Sequence, residues 1–430
     1  MIQTRAQKVK QYIHIGLRKT ERFTGTDMVY LVGQSGWLLV GQAAIFASSL
    51  GLAWVFANYI SPSDYGLYKY VVAIATLATI TTLTGFGVAI TKAVAENHTV
   101  VLQKILKIQI RFGLLGAALL LGLALYYLTK DNVLLASLLA VSALWIPFFE
   151  PFSNYQFILQ GKKDFKTQTL IRIIQRVVLT ALVIGTIFYT KNIIIITGVY
   201  FAALTLSQLG ALLATLKKYP ATDDTTTPYN NIVSYAKRLS LQNIFFIGVG
   251  QLDKILLFKI LGPTQLAIYY FAISLPNEVQ GIIGNINSVV FPKLVDKKGR
   301  VFKTAFLKKI TLFTVLLIIP VSAYIIIAPY LFAWLFPVYT DAILISQLYV
   351  GTILFTPTSL LWHYFYATDH KTALWVEMVV GPGSLILGII CLAPLYGLVG
   401  AVMAVYLRGV IDMTIGLYYF LSTTSQEKST

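Results

Sequence analysis

Residues 193–216 read IIIITGVYFAALTLSQLGALLATL, and the fifteen residues that follow, 217–231, read KKYPATDDTTTPYNN. The first stretch carries no charge over 24 residues, and about 20 predominantly apolar residues suffice for a helix to cross the ~30 Å hydrocarbon core of a bilayer. It shows none of the alternation of a barrel strand, so it reads as a spanning helix. The second stretch holds two prolines, paired aspartates and four threonines, which is the composition of a connection. Working outward, five more apolar stretches precede the pair (near 34–59, 68–91, 110–129, 133–158 and 171–190) and six follow it (near 239–261, 266–292, 307–328, 342–367, 373–394 and 397–421). The expected fold is an all-α integral membrane protein of about twelve transmembrane helices in two six-helix lobes, 31–216 and 232–421, joined by a cytoplasmic linker at 217–231. A basic N-terminal segment, 1–30, and a short tail, 422–430, complete it.

Composition agrees. Of 430 residues 57% are hydrophobic and 12% charged, with a mean hydropathy of +0.73. A soluble domain carries about a quarter charged residues, so a soluble enzyme and a disordered or fibrous chain are excluded. The 34 Lys and Arg outnumber the 17 Asp and Glu, giving +17. Placing the N-terminus in the cytoplasm puts 28 of those 34 cations in cytoplasmic segments, Arg172 and Arg176 being credited to the fourth-to-fifth connection. Lys69, Lys130 and Lys191 fall outside, and Lys254, Lys259 and Arg408 fall within spans. That is the asymmetry of an oriented protein of the cell (inner or plasma) membrane with both termini cytoplasmic, and it points to anionic lipid rather than nucleic acid as the partner of the positive charge. Residues 1–30, with Arg5, Lys8, Lys10, Arg18, Lys19 and Arg22 among apolar residues, read either as an interfacial helix or as a basic tail. The single Cys391 excludes an internal disulfide.

The halves repeat. Ile-Ser-Pro-Ser-Asp-Tyr-Gly-Leu-Tyr at 60–68 follows the first span, and Leu-Gly-Pro-Thr-Gln-Leu-Ala-Ile-Tyr at 261–269 follows the seventh. Pro62 matches Pro263 and Tyr68 matches Tyr269 at one offset of 201. Because six spans separate the copies, they share one orientation, so the expected relation is a parallel pseudo-repeat of the kind found in transporters.

Six charged residues lie deep in spans: Glu150, Asp253, Lys254, Glu278, Arg408 and Asp412. Each would cost about 2.5–3.5 kcal/mol facing lipid at a helix centre, so most must face protein or water. Arg408 and Asp412 lie one turn apart and share a face; a self-neutralising structural pair and a working pair both fit. Asp253 and Lys254 are adjacent and diverge by about 100°, so at least one is expected to need a partner elsewhere. Glu278, just after Pro276, is the nearest by depth. Glu150 sits between Pro147 and Pro151. For each acid a hydrogen-bonded structural role stands beside proton or ion coupling. No nucleotide-binding loop or H-E-x-x-H spacing occurs, and His363 beside Trp362 reads as a packed residue, so neither an enzyme, a metal site nor a cofactor is expected.

These features, with Gln-Leu-Asp-Lys-Ile-Leu-Leu at 251–257, Gln-Gly-Lys-Lys-Asp-Phe at 160–165, Phe-Pro-Lys-Leu at 291–294 and Pro-Leu-Tyr-Gly-Leu-Val-Gly at 394–400, resemble the oligosaccharide flippases of the polysaccharide biosynthesis branch. That branch belongs to the multidrug/oligosaccharidyl-lipid/polysaccharide exporter superfamily. The resemblance implies a V-shaped pair of bundles that opens alternately to each side. It also implies transfer of oligosaccharides on a polyprenyl pyrophosphate carrier from the cytoplasmic to the outer leaflet, with cavity cations engaging the pyrophosphate and glycan-synthesis machinery as an expected partner. Lys254 and Arg408 are then the expected substrate-binding residues. Glu150, Asp253, Glu278 and Asp412 are expected to gate or to couple movement to H+ or Na+. The rival expectations are a cation-coupled small-molecule antiporter of the same superfamily and a membrane-embedded glycan-modifying enzyme.

Overall fold

The structure, a computed structural model, describes residues 28–96, 101–220, 229–290, 300–368 and 370–426. Residues 1–27, most of the 217–231 linker and the last four residues of the tail lie outside the described residues. Every regular element among the described residues is helical: α1 (Met28–Tyr59), α2 (Pro62–Ala78), α3 (Phe86–Ala95), α4 (Val101–Leu128), α5 (Val133–Ala143), α6 (Ile146–Ser153), α7 (Tyr155–Gly161), α8 (Phe165–Tyr189), α9 (Ile193–Lys218), α10 (Tyr229–Leu261), α11 (Pro263–Val290), α12 (Arg300–Leu335), α13 (Ala342–Val350), α14 (Ser359–Ala367) and α15 (Lys371–Gln426). Short 3₁₀ stretches follow α2 (Thr79–Thr82) and α13 (Gly351–Thr358). Among the described residues, six helical segments are long and apolar enough to cross a membrane, and eight if each of two bent pairs counts as one. This is a multi-pass membrane protein. Each apolar stretch read from the sequence coincides with a helix or a broken helix.

The two repeated turns do the same work by different chemistry. At the first, Ser61 caps α2: its hydroxyl accepts from the Asp64 amide at 3.1 Å and donates to the Asp64 carboxylate at 2.7 Å, and Pro62 opens the helix where a missing N–H costs nothing. At the second, Gly262 adopts φ 87° and its amide closes α10 onto the Phe258 carbonyl, after which Pro263 starts α11. A left-handed residue that ends a helix is most cheaply glycine. Near the end of the chain, α15 is interrupted at Gly397, with φ 58° and ψ −136°. Its 52-residue apolar run would measure about 78 Å as one helix, more than twice the hydrocarbon core.

The core shows how the halves meet. One large apolar cluster joins the C-terminal ends of α1, α4, α8, α10 and α12, the starts of α2, α5, α9, α11 and α13, and the stretch of α15 flanking Gly397. At the opposite end the core divides. Phe86, Ile90, Ile105 and Leu159 form one cluster in the N-terminal half, joined by Ala236 of α10, whereas Phe306, Phe365 and Phe420 centre another in the C-terminal half. The halves therefore share a core at one end and separate at the other, with α10 leaning onto the N-terminal half where the Gly85 amide donates to Ser240 Oγ at 3.1 Å. Exposed Trp54, Tyr59, Tyr189, Trp334 and Tyr396 ring the shared end, and Tyr366, Trp375 and Tyr418 the divided end. Aromatic rings concentrate at the two membrane–water interfaces in this way.

At the divided end of the N-terminal half, Asp164 ties α8 to α9. Its carboxylate accepts from Lys218 at 2.7 Å and from Tyr219 at 2.9 Å, and from the Thr167 amide at 3.2 Å. Burial by itself would raise its pKa, but the hydrogen bonds from Lys218, Thr167 and Tyr219 outweigh it and hold the group at about 2. A carboxylate with a depressed folded-state pKa contributes stability above the ordinary value near 3.8, and that contribution disappears as pH falls through about 2. The difference in thermal midpoint between the parent and Asp164→Asn is therefore expected to be present at pH 7 and to shrink between pH 4 and pH 2. A difference that stays constant across that range would show that the ion pair does not contribute.

Candidate functional site

The shared end is closed by aromatic packing. Gly66 of α2 abuts the start of α11 so closely that a β-carbon there would overlap the Pro263 carbonyl. Around this contact Tyr65 stacks on Phe271 at 4.7 Å, Tyr70 on Phe258 at 3.7 Å, and Phe271 against Tyr339 at 4.1 Å. In lipid, helix association depends on such close packing because lipid tails compete for any apolar face. Each aromatic pair contributes about 0.5–1.5 kcal/mol beyond its buried area. The seal thus joins the N-terminal and C-terminal halves through residues next to the two repeated turns.

Beneath the seal lies a belt of charge. Lys69, on α2 one turn after Gly66, places its ammonium 4.8 Å from the Tyr270 ring centroid, 5.3 Å from Tyr65 and 5.7 Å from Tyr68. The charges of Arg176 on α8 and Lys254 on α10 reach it. Arg176 donates to Ser49 of α1, and its Nε is buried without a hydrogen-bond partner. Asp253 lies within electrostatic range of Tyr269, Tyr270 and Tyr349, and Arg408 of Tyr349. Asp412 and Arg408 in turn reach Glu377. The group of Lys69, Arg176, Asp253 and Lys254 and the group of Arg408, Asp412 and Glu377 thus meet at Tyr349, which lies within electrostatic range of Asp253 and of Arg408.

The six residues expected from the sequence divide accordingly. Lys254, Asp253, Arg408 and Asp412 belong to the belt. Arg408 Nε donates to Asp412 Oδ2 at 3.3 Å, while Asp412 Oδ1 is buried without a partner and stands against Gly381. Asp253 and Lys254 do not need a distant partner: Lys254 Nζ folds back onto Asp253 Oδ1 at 3.1 Å and donates to the Gly250 carbonyl at 2.6 Å. The flexible four-carbon stem spans the angular gap between neighbouring positions. Glu278 forms no ion pair with either among the described residues. Lys254 is seven residues from the end of α10 and Glu278 fifteen from the start of α11, about 12 Å different in depth at 1.5 Å per residue. Glu150 lies on α6, with Ser153 as its hydrogen-bonding neighbour, and the structure does not bring it to the belt.

Two belt residues were missed by charge counting. Counting by connection credits Lys69 to an outer connection and Arg176 to an inner one, yet both lie inside helices: Lys69 on α2, which packs against α10 and α11, and Arg176 on α8, which packs against α1 and α9. Neither forms an ion pair among the described residues, whereas Lys254 and Arg408 do. The signal existed: Arg176 lies within the apolar stretch 171–190, and Lys69 within 68–91. Two mutually repelling cations in the interior of a membrane protein are costly. Such a site is complementary to a multiply charged anion, which phosphate groups supply with several acceptor oxygens.

Fold and site together define an all-helical, multi-pass membrane protein with charged residues inside its helices. Among solved structures, the lipid II flippase MurJ in an inward closed conformation shares the fold with a TM-score of 0.68 at 14% identity, over 90% of each chain. A MOP superfamily transporter from Pyrococcus furiosus matches with a TM-score of 0.62 at 15% identity, over 93% of this chain and 96% of that one. An inward-facing multidrug resistance MATE transporter of the same superfamily matches with 0.61 at 16%, over 90% and 95%. These likenesses show the MOP fold. Residues 31–298 match the Polysaccharide biosynthesis protein family, and the chain belongs to it. No curated protein matches it by sequence.

Proposed function

We propose that the protein is a flippase that carries a lipid-linked oligosaccharide, on a polyprenyl pyrophosphate, from the cytoplasmic to the outer leaflet by alternating access. The observation that carries this reading is the pair of cations without a carboxylate partner among the described residues, Lys69 and Arg176, with Lys254 within electrostatic range of Lys69 under the seal. A pyrophosphate cannot cross hydrocarbon unaided, and these groups would replace its water. Arg408, released in part from Asp412, completes the anion site from the C-terminal half. Asp412, with one oxygen unpartnered and Glu377 in range, is the proposed place of coupling to H+ or Na+, and Asp253 of gating beside Lys254. Glu150 and Glu278 remain proposed coupling positions without a partner in the belt.

The same reading takes α1–α9 and α10–α15 as two six-helix lobes related by a parallel pseudo-repeat, with twelve crossings. Each bent run (α2 with α3, α5 with α6 and α7, α13 with α14) counts as one crossing and α15 as two, one on either side of Gly397, and helix ends alternate between the shared and divided cores. The divided end is assigned to the cytoplasm, as are both termini, from the distribution of Lys and Arg. A single cysteine at Arg300, in a Cys391→Ala background, is expected to react with an impermeant thiol reagent only after the cytoplasmic face is exposed. Reaction from outside in intact cells would reverse the orientation.

Transport is tested in vesicles by supplying a polyprenyl-pyrophosphate oligosaccharide and probing its arrival in the far leaflet. Movement no faster than in empty vesicles under either ion gradient would refute the flippase. Hydrogen bonds to charged groups contribute about 1.5–3 kcal/mol each, so Lys69→Ala, Arg176→Ala, Lys254→Ala and Arg408→Ala should each slow transport about tenfold or more. Parent rates in Lys69→Ala and Arg176→Ala would remove the uncompensated pair from the mechanism. The cation-coupled antiporter predicts instead that small cations are moved and that the oligosaccharide is ignored; the presence of Lys69 and Arg176 without a carboxylate partner among the described residues disfavours it.

A further inference from the structure

A narrow cavity of about 280 Å3 lies in the C-terminal half, between α11, α12 and the 3₁₀ stretch that follows α13. Its walls include Val279, Leu317, Val321, Tyr324, Leu331 and Ile353. From Leu317 to Leu331 it runs along fifteen residues of α12, fourteen rises or about 21 Å at 1.5 Å per residue, so it is a slot rather than a bowl. The polar group on its wall is already satisfied, because Tyr324 Oη shares a hydrogen bond of 2.6 Å with Ser346 Oγ. The slot has a local cause. A 3₁₀ helix rises about 2.0 Å per residue against 1.5 Å for an α-helix, so the side chains of Gly351–Thr358 fall out of register with those of α12, and Pro320 interrupts the backbone ladder opposite.

Two surfaces border this slot. On one side α12 presents Leu316, Ile319 and Ile326 outward, the face of a spanning helix that meets lipid chains. On the other, α11 is tied to the very segment that forms the wall. Tyr349 Oη donates to Asn277 Oδ1 at 3.1 Å, and Gln280 Nε2 donates to Thr352 Oγ1 at 3.2 Å. These bonds bracket Val279. Tyr349 itself is within electrostatic range of Asp253 and Arg408. The slot opens to the lipid-facing surface at Val279 and Ile327, and its wall residue Val350 adjoins Tyr349, which lies within electrostatic range of the belt.

We infer that the slot between α11, α12 and Gly351–Thr358 binds the hydrocarbon chain of a polyprenyl lipid whose anionic head occupies the charged belt. This rests on the flippase reading for its head group. The occupant is the carrier's own chain rather than a bulk phospholipid, because only a molecule with a diphosphate at one end and a long chain at the other engages the belt and the slot together. Through the slot the protein would hold the carrier by its chain while the head changes sides.

The test uses the full-length protein in phosphatidylcholine nanodiscs with a polyprenyl pyrophosphate bearing a photoreactive diazirine in its chain. A phosphatidylcholine with a diazirine in one acyl chain is the comparison probe. The polyprenyl probe is expected to label residues 317–331 and 350–353, and to be displaced by unlabelled polyprenyl pyrophosphate but not by phosphatidylcholine. Val321→Trp, which fills the slot, should lower that labelling about tenfold; Ile319→Trp, on the lipid-exposed face, should not. Ile353→Phe provides a smaller obstruction where the tryptophan prevents folding. Equal labelling by both probes, or labelling unaffected by either slot variant in folded protein, would overturn the inference. Val321→Trp should also slow transport of long-chain carriers about tenfold while sparing a carrier with only two isoprene units. Equal transport of both at parent rates would refute the slot and leave the flippase standing. Displaceable labelling of the slot in a parent protein that moves no carrier would refute the flippase and leave the slot.

Discussion

Gly66→Leu is expected to leave the shared end of the two halves unsealed. The obstacle met by even a first side-chain carbon at this position is backbone, the Pro263 carbonyl and its neighbours, so no flexible side chain can swing aside. Overpacking a tight contact costs about 1–3 kcal/mol, and here the relief available is for α2 to move off α11. That movement breaks the Tyr65–Phe271 and Tyr70–Phe258 stacks, worth about 1 kcal/mol each. A cysteine in place of Ala267, which is fully buried at the seal, reports the result in a Cys391→Ala background. A water-soluble maleimide should modify it slowly in the parent and at least tenfold faster in Gly66→Leu. Gly66→Ala should give the same change to a smaller degree. Protection unchanged in both would mean that the Gly66–Pro263 approach is not what closes this end. In an alternating-access protein the same variant should retain substrate binding but lose transport, because one of its two closed states can no longer form.

The positions that make this seal were partly legible in the sequence. Pro62 and Pro263 at one offset marked two equivalent turns, because a proline at a helix start is a local requirement that any context preserves. Uninterrupted apolar runs likewise located the helices, since a bilayer demands about 20 such residues wherever they occur. The breaks were less visible. The stretch read as one span at 68–91 bends by 53° between Thr82 and Phe86, where Leu83 takes φ 58° and Thr79, Thr81 and Thr82 return hydrogen bonds to carbonyls one turn back. Threonines are common in straight helices too, so their presence did not announce the bend.

The charged belt was legible only where its residues were obvious intruders. Lys254 and Arg408 stood out because each lay in the middle of an apolar run. Lys69 and Arg176 did not, because counting cations by connection asks which side of the membrane a residue is on and ignores which face of a helix it occupies. Arg176 is eleven residues into α8, about 16 Å from its start, deep enough to belong to the interior. The pairing of Asp253 with Lys254 was hidden for another reason: helical geometry separates adjacent Cβ vectors, but a lysine ammonium is four methylenes from its Cα and is not bound by that angle. Tertiary contacts, such as Arg176 with Ser49 across 127 positions, leave no trace in spacing.

Arg408 and Asp412 offer the sharpest separation of structural from transport roles. Arg408→Leu alone leaves Asp412 half-buried with neither oxygen paired to a cation, and a charge in a membrane helix costs about 2.5–3.5 kcal/mol on insertion scales. The single variant should therefore reduce the yield of folded protein and transport together. Arg408→Leu with Asp412→Leu removes both charges, and replacing an ion pair by apolar residues of similar volume is often neutral or stabilising. Folded yield and thermal midpoint should return to parent values in the double variant. If the pair merely neutralises itself, transport returns with them. If Arg408 binds the substrate anion and Asp412 couples its movement, transport stays at least tenfold below the parent in a protein of restored stability. Recovery of transport in the double variant would assign the pair to structure and restrict the anion site to Lys69, Arg176 and Lys254.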